Sequence, residues 1–200
     1  MGVPAGASID TRTLEPGDIF FALKGERVDG HEHVTSAFEK GASCAVIKDA
    51  GRAHAGRFAL VVEDPESALF ELARLVRSRS SAVFVAVTGS VGKTTAKEFT
   101  AELLRARGVV LATRGNLNNH LGVPLTLARL ETGHWAAVIE CGMSHAGELS
   151  HLVQLVRPKV AVVTNVAAVH LEYFASVDEI AAAKAEIYET ASGKYRFIVR

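Results

Sequence analysis

The stretch VAVTGSVGKTT (Val85–Thr95) joins an apolar, strand-length run to Gly89 and Gly92 and then to Lys93, Thr94 and Thr95. Those residue types in that order make a phosphate cradle. Glycines let backbone amides approach anionic oxygens, the amino end of the following helix carries a partial positive charge, Lys93 adds a point charge, and the Thr94 hydroxyl can ligate Mg²⁺. Gly89, Ser90, Val91, Gly92, Lys93, Thr94 and Thr95 are therefore the candidate nucleotide-phosphate residues. Only Ser90 and Val91 separate the two glycines, whereas the common loop G-x-x-x-x-G-K-[ST] is longer there and a generic pattern passes over this one. The bland alternative is a tight strand-to-helix turn with a solvated lysine.

Glu140 ends the apolar run AAVIE. A carboxylate there is costly unless something cationic meets it. In a parallel α/β sheet the carboxyl ends of the strands face the ligand crevice, where the glycine loop also lies. Glu140 is thus a candidate for a metal on nucleotide phosphates, or a solvated strand end. VAVVT delivers Asn165 and, a few residues on, His170 to that same edge. A lone histidine is a structural residue or, by its position, a ligand. In GNLNNHLGVP, Asn116, Asn118 and Asn119 either bind a polar ligand or form successive Asx turns. Lys184, in the alanine-rich IAAAKAEIYE, reads on spacing as part of a solvated face, and Cys141 as a small buried apolar residue.

Positioning these residues requires a sheet. Apolar runs of strand length alternate with helical patterns, the signature of an α/β fold with a largely parallel sheet. Two regions are expected, residues 1–80 and 81–200. In the first, Asp18–Leu23, Cys44–Ile47 and Ala59–Val62 read as strands, with a helix near His33–Lys40 and another from Asp64, in which Ala68, Leu69, Leu72, Leu75 and Val76 share a face. In the second, strands are expected at Val83–Val87, Val109–Ala112, Ala136–Cys141 and Val160–Thr164. Helices are expected at Thr94–Arg107, Val123–Leu130, Glu148–Val156 and Val177–Glu189, with KYRFIVR as a possible last strand. Both ends read as cuts in something longer.

Composition narrows the function classes. Of 200 residues, 48% are hydrophobic, and Lys plus Arg (22) balance Asp plus Glu (22), so no global field recruits nucleic acid or an anionic membrane and any phosphate binding is local. Two cysteines do not make a secreted disulfide framework, and no run is long enough to span a bilayer, which points to a cytoplasmic protein.

Taken together the motifs resemble the Mur ligase family, the ATP-dependent enzymes that build the peptidoglycan stem peptide. SIDTRTLEPGDIFFALKGERVDGHEHVTSAFEKGASCAVI is similar to the family's N-terminal substrate domain, and TGSVGKTT to its shortened phosphate loop. GNLNNHLGVPLTL, ECGMSHAGELSHL and VTNVAAVHLEYFASVDEIAAAKAEIY resemble most the branch that joins D-alanyl-D-alanine to UDP-MurNAc-tripeptide through an acyl phosphate. The resemblance implies ATP and Mg²⁺ as cofactors. It implies a small α/β substrate domain (1–80) followed by a mostly parallel, P-loop-type ATP-binding domain (81–200). Lys93, Glu140 and His170 would be catalytic, and Thr94, Glu140 and His170 would hold metal, joined by Lys184 if carbamylated. Asp10, Thr11 and Arg12 match a segment near the uridine nucleotide, and Asn116, Asn118 and Asn119 border the substrate. The chain is expected to be a monomer that binds neither nucleic acid nor membrane. The family's C-terminal domain is missing from the match, the first strand reads as clipped, and ASGKYRFIVR departs from the family pattern. The alternatives are a noncatalytic nucleotide-binding fragment, the ligase that adds the third residue, or a folylpolyglutamate synthase-like ligase; GDIFFALKGERVDGH argues against the last.

Overall fold

Phe20, Ala45 and Ile47 turn the same way from adjacent strands, and Val34, Ala37 and Phe38 of a short helix close over them. The structure, a computed structural model, describes residues 4–168 and 173–190 and the backbone of residues 196–199. The chain divides into two units, Met1–Val76 and Arg77–Arg200.

In the first unit, strands β1 (Ala7–Ser8), β2 (Ile19–Phe21), β3 (Cys44–Ile47) and β4 (Ala59–Val61) form a parallel sheet in chain order. The strand expected over Asp18–Leu23 is shorter because its ends bond locally: the Asp18 amide donates to Glu15 and the Leu23 amide to Phe21. β1, two residues long, is too short for periodicity to register. A 3-10 turn (Gly30–His33), capped by the Asp29 carboxylate, precedes helix α1 (Val34–Glu39). Helix α2 (Pro65–Arg79) starts where Asp64 accepts from the amides of Glu66 and Ser67. Its buried residues are Pro65, Leu69 and Ala73, a single i, i+4 row narrower than the expected face, and Leu75 is 47% exposed.

The second unit carries strands β5 (Val83–Thr88), β6 (Val110–Ala112), β7 (Ala136–Glu140), β8 (Val160–Val163) and β9 (Arg196–Val199), all parallel, in the order β6-β7-β5-β8-β9. Helices α3 (Lys93–Arg105), α4 (Gly122–Leu127), α5 (Glu148–Val156) and α6 (Val177–Ala185) connect them. Val85, Val87, Val110 and Val138 pack with Ala101 of α3 on one face. Phe84, Ala86 and Ile139, which alternate with them, are buried too, as expected of central parallel strands covered on both sides. The chain leaves β5 past β7 to reach β6 and later crosses β5 to reach β8, so the strand order reverses at β5. Ligand crevices of open α/β sheets form at such a reversal, outside the carboxyl ends of the strands.

Candidate functional site

The loop after β5 lies at that reversal. Gly89 has φ +147°, and a Cβ there would meet Thr164 Oγ1 at 1.9 Å, so side-chain-free backbone is required. Gly92, at φ +79°, takes the left-handed turn that opens α3. The segment after β8 braces the loop from the side. Asn165 accepts the Ser90 amide on its carbonyl (3.0 Å) and the Val91 amide on Oδ1 (3.0 Å). Thr164 Oγ1 donates to the Val91 carbonyl (2.6 Å), and Ser90 Oγ donates to the Ala167 carbonyl (3.1 Å) while accepting its amide (2.9 Å). Lys93 Nζ folds back onto the carbonyls of Gly89 (2.8 Å) and Ser90 (3.3 Å). Among the described residues no side chain caps the amino end of α3, so its first amides are open to an anion.

Glu140 stands beside the loop because β7 pairs with β5 in a register that sets Glu140 opposite Val87. It is 2% exposed and fully engaged. Thr94 Oγ1 donates to Oε2 (2.9 Å), Asn118 Nδ2 donates to Oε1 (2.8 Å), and the Glu140 amide donates to Thr113 Oγ1 (2.9 Å). Asn118 fits there because the neighbouring residue is Gly142, where a Cβ would come within 2.9 Å of Asn118 Oδ1. Of the three asparagines, then, Asn118 reaches Glu140, Asn119 Oδ1 accepts the Gly122 amide at the start of α4 (2.8 Å), and Asn116 is exposed.

Lys184 is buried, not part of a solvated face. It lies on the inner side of α6 with Ile180 and Ala183, a side that flanking alanines do not mark in the sequence. Burial, and secondly the Lys93 ammonium, push its pKa down to about 8. The Lys93 contribution brings Lys184 into the electrostatic reach of the loop. His170 lies outside the described residues. Cys141 is buried, and burial and the Glu140 carboxylate push its thiol up to about 12, which makes it inert as a nucleophile.

In the first unit, Asp10, Thr11 and Arg12 form the turn after β1. Arg12 donates from Nε to Asp10 Oδ1 (2.9 Å) and from Nη2 to Oδ2 (2.6 Å), and those bonds hold the Asp10 carboxyl below its ordinary range. Lys40 Nζ donates to the Thr11 carbonyl (2.7 Å). A cleft of about 350 Å³, absent from the sequence reading, opens past β2 and β3 and brings Lys24, Lys48 and Arg52 near the helix-capping carboxylates Asp29, Asp49 and Asp64. His31 spans its wall, accepting the Lys48 amide on Nε2 (2.9 Å) and bonding Asp29 through Nδ1 (2.7 Å). An acceptor Nε2 leaves Nδ1 as the protonated nitrogen.

The donors at Thr94 and Glu140 are a hydroxyl and a carboxylate. Among the described residues no group of three or more His, Cys, Asp and Glu could hold a metal. Magnesium does not need one, since it binds through one or two protein oxygens together with phosphate oxygens and water. The residues present fit that ion.

The family model of the Mur ligase middle domain matches residues 87–200, and that of the Mur ligase family catalytic domain matches residues 5–77. The chain belongs to the Mur ligase family. The UDP-N-acetylmuramoyl-tripeptide--D-alanyl-D-alanine ligase of Escherichia coli (strain K12) is 46% identical over 179 residues, which are 90% of this chain and 39% of the relative. The enzyme of the same name from Rickettsia prowazekii is 39% identical over 183 residues, 92% of this chain and 40% of the relative. Among solved structures, MurF from Acinetobacter baumannii superposes with TM-score 0.83 at 38% identity, covering 96% of this chain and 42% of that one. MurF ligase from Thermotoga maritima in complex with ADP superposes with TM-score 0.81 at 32% identity, covering 98% and 45%. The chain spans about two fifths of the length of the curated relatives it matches.

Proposed function

We propose that this chain is the substrate- and ATP-binding portion of a ligase that joins D-alanyl-D-alanine to UDP-MurNAc-tripeptide in peptidoglycan precursor synthesis. The observation that carries the reading is the convergence of Thr94 and Asn118 on the buried Glu140 carboxylate beside a glycine loop whose helix amides are uncapped. The names of the relatives supply the substrates, and the ADP held by one of them supports the nucleotide. In this reading residues 1–80 bind the uridine nucleotide, with Asp10, Thr11 and Arg12 at its edge, and residues 81–200 bind ATP.

The chemistry asked of these residues is positioning and charge stabilisation. The amides of the first turn of α3 hold the β- and γ-phosphates, while Asn165, which takes the Ser90 and Val91 amides, keeps the loop in shape. Lys93 exchanges its two loop carbonyls for phosphoryl oxygens and balances the charge that grows as the tripeptide carboxylate attacks the γ-phosphorus and ADP departs. Thr94 and Glu140, with His170, would hold magnesium, which supplies Lewis-acid polarisation of the phosphoryl oxygens when bound. Lys184, with its depressed pKa, has a share of neutral amine able to add carbon dioxide and release a proton to solvent, and its carbamate would give the site a second acidic oxygen ligand. Asn118 orients Glu140, and Asn116, Asn118 and Asn119 border the substrate.

Isothermal titration of the chain with UDP-MurNAc-tripeptide, and in parallel with a folate, tests the reading. Saturable binding of the uridine nucleotide alone is expected. Binding of the folate alone, or of neither, contradicts it.

A further inference from the structure

Lys97 lies one turn beyond Thr94 on α3 and is wholly buried. A buried ammonium is expensive unless it is paired and hydrogen-bonded. Here it donates to the Thr113 carbonyl at 2.8 Å and to the Glu98 carboxylate at 2.5 Å. Glu98 itself is mostly in solvent, with its side chain 56% exposed, so the pair is anchored at one end only. Replacing a buried charged pair with apolar side chains of similar volume is often neutral or stabilising, so stability alone does not explain a lysine here. A methionine would fill the same space. What the lysine adds is a directed donor at one carbonyl.

That carbonyl belongs to a residue held at three points. Thr113, 1% exposed at the end of β6, gives its carbonyl to Lys97, donates its amide to the Val138 carbonyl (3.1 Å), and accepts the Glu140 amide on Oγ1 (2.9 Å). Glu140 in turn accepts from Thr94, on the same helix as Lys97. The contacts close a ring: Thr94 to Glu140, Glu140 to Thr113, Thr113 to Lys97, and Lys97 back to Thr94 along α3. Helix and strand ends are thereby locked in one relative placement.

We propose that Lys97 is a positioning residue for the proposed magnesium–phosphate site, acting through Thr113 to fix where the Glu140 carboxylate stands relative to the Thr94 hydroxyl. The inference rests on the reading of Glu140 and Thr94 given above. Lys97 touches neither nucleotide nor metal in this account. Outer partners that orient metal ligands act in this way in many metal sites, and their loss typically costs roughly 10- to 100-fold in metal affinity.

The test uses the whole 200-residue chain and two readouts. Amide hydrogen exchange needs no ligand: in Lys97→Met the Glu140 amide is expected to exchange roughly tenfold faster, the scale of one weakened hydrogen bond, with the amides of β2 and β3 unchanged. Titration with ADP at stepped Mg²⁺ is the second. Lys97→Met is expected to raise the Mg²⁺ needed for half-saturation roughly 10- to 100-fold, leaving metal-free ADP binding as it was. Thr113→Val, which keeps the carbonyl but loses the hydroxyl, reproduces the Mg²⁺ effect, and the double variant is no worse than the poorer single one. If Lys97→Met does not fold, Thr113→Val decides: an unchanged Mg²⁺ requirement overturns the inference. A folded Lys97→Met with normal Glu140 exchange and normal Mg²⁺ requirement also overturns it, as do effects that add to those of Thr113→Val. If ADP binding depends on Mg²⁺ in neither the wild-type chain nor Glu140→Gln, the reading of the site fails instead, and the inference with it.

Discussion

Thr94 Oγ1 donates a 2.9 Å hydrogen bond to Glu140 Oε2, joining the first turn of α3 to the end of β7. The two residues are far apart in sequence and come from elements that meet only because β7 lies beside β5 in the sheet. A hydroxyl and a carboxylate at this distance present two oxygens to one small volume beside the glycine loop. A hard divalent cation bound to phosphates suits that volume.

Glu140→Gln keeps the size and removes the charge. Mg²⁺-dependent ADP binding is expected to weaken by at least about tenfold, because the site loses its anionic oxygen. Titration with and without Mg²⁺ measures it. An unaltered Mg²⁺ dependence would set Glu140 aside as a strand-end residue bonded only to its neighbours.

Lys93→Ala tests the charge on the loop. In a complete ligase carrying this segment the substitution is expected to cost about 3 kcal/mol of barrier, roughly a hundredfold in ADP release, the usual scale for one electrostatic contact to a transition state. Turnover near that of the unaltered enzyme contradicts the assignment.

Gly89→Ala and Gly92→Ala separate collision from backbone strain. At Gly92 a Cβ meets no described residue within 4 Å, so φ +79° alone weighs against the fold, about 1 kcal/mol. At Gly89 the Cβ would strike Thr164 Oγ1, and the added overpacking brings the cost to about 1–3 kcal/mol beyond the strain. Urea unfolding should rank Gly89→Ala below Gly92→Ala, with Thr164→Ala recovering part of the Gly89→Ala loss. Equal midpoints for the two glycine variants would contradict the packing seen here.

Lys184 gives a pH signature. An unfolded lysine keeps its proton up to its ordinary pKa of 10.5, whereas the buried one releases it near 8. Between these values the unfolded state binds more protons, so stability rises with pH through that window; below 8 the whole penalty is present. Lys184→Met is expected to be more stable near neutral pH and to lose the rise. Urea midpoints across the window measure it, and a wild-type profile as flat as that of Lys184→Met refutes the burial argument.

The sequence reading reached the strands whose residues are apolar on both faces. Strand Cys44–Ile47 and helix Glu148–Val156 have the bounds that their patterns predict, and the glycine loop and Glu140 sit at one edge as their strand-end positions imply. What it missed has a common cause: a contact that depends on which strands are neighbours leaves no local pattern. Thr113, Thr164 and Gly142 matter through residues distant in the chain. Lys97 and Lys184 look like surface lysines because a charged residue in a helix is usually solvated, and only packing reveals their burial. Leu75 errs the other way, an apolar residue in a helical stripe that the narrower buried row of α2 leaves outside.

Paramagnetic relaxation with Mn²⁺ in place of Mg²⁺, read on the backbone amides of the chain in the presence of ADP, asks most directly where nucleotide and metal sit. Strong broadening of the amides of Gly89–Thr95 and of Glu140, abolished in Glu140→Gln, is the expected result. Broadening centred elsewhere in the chain, with these amides sharp, would contradict the central claim that the loop and Glu140 hold one metal–nucleotide complex.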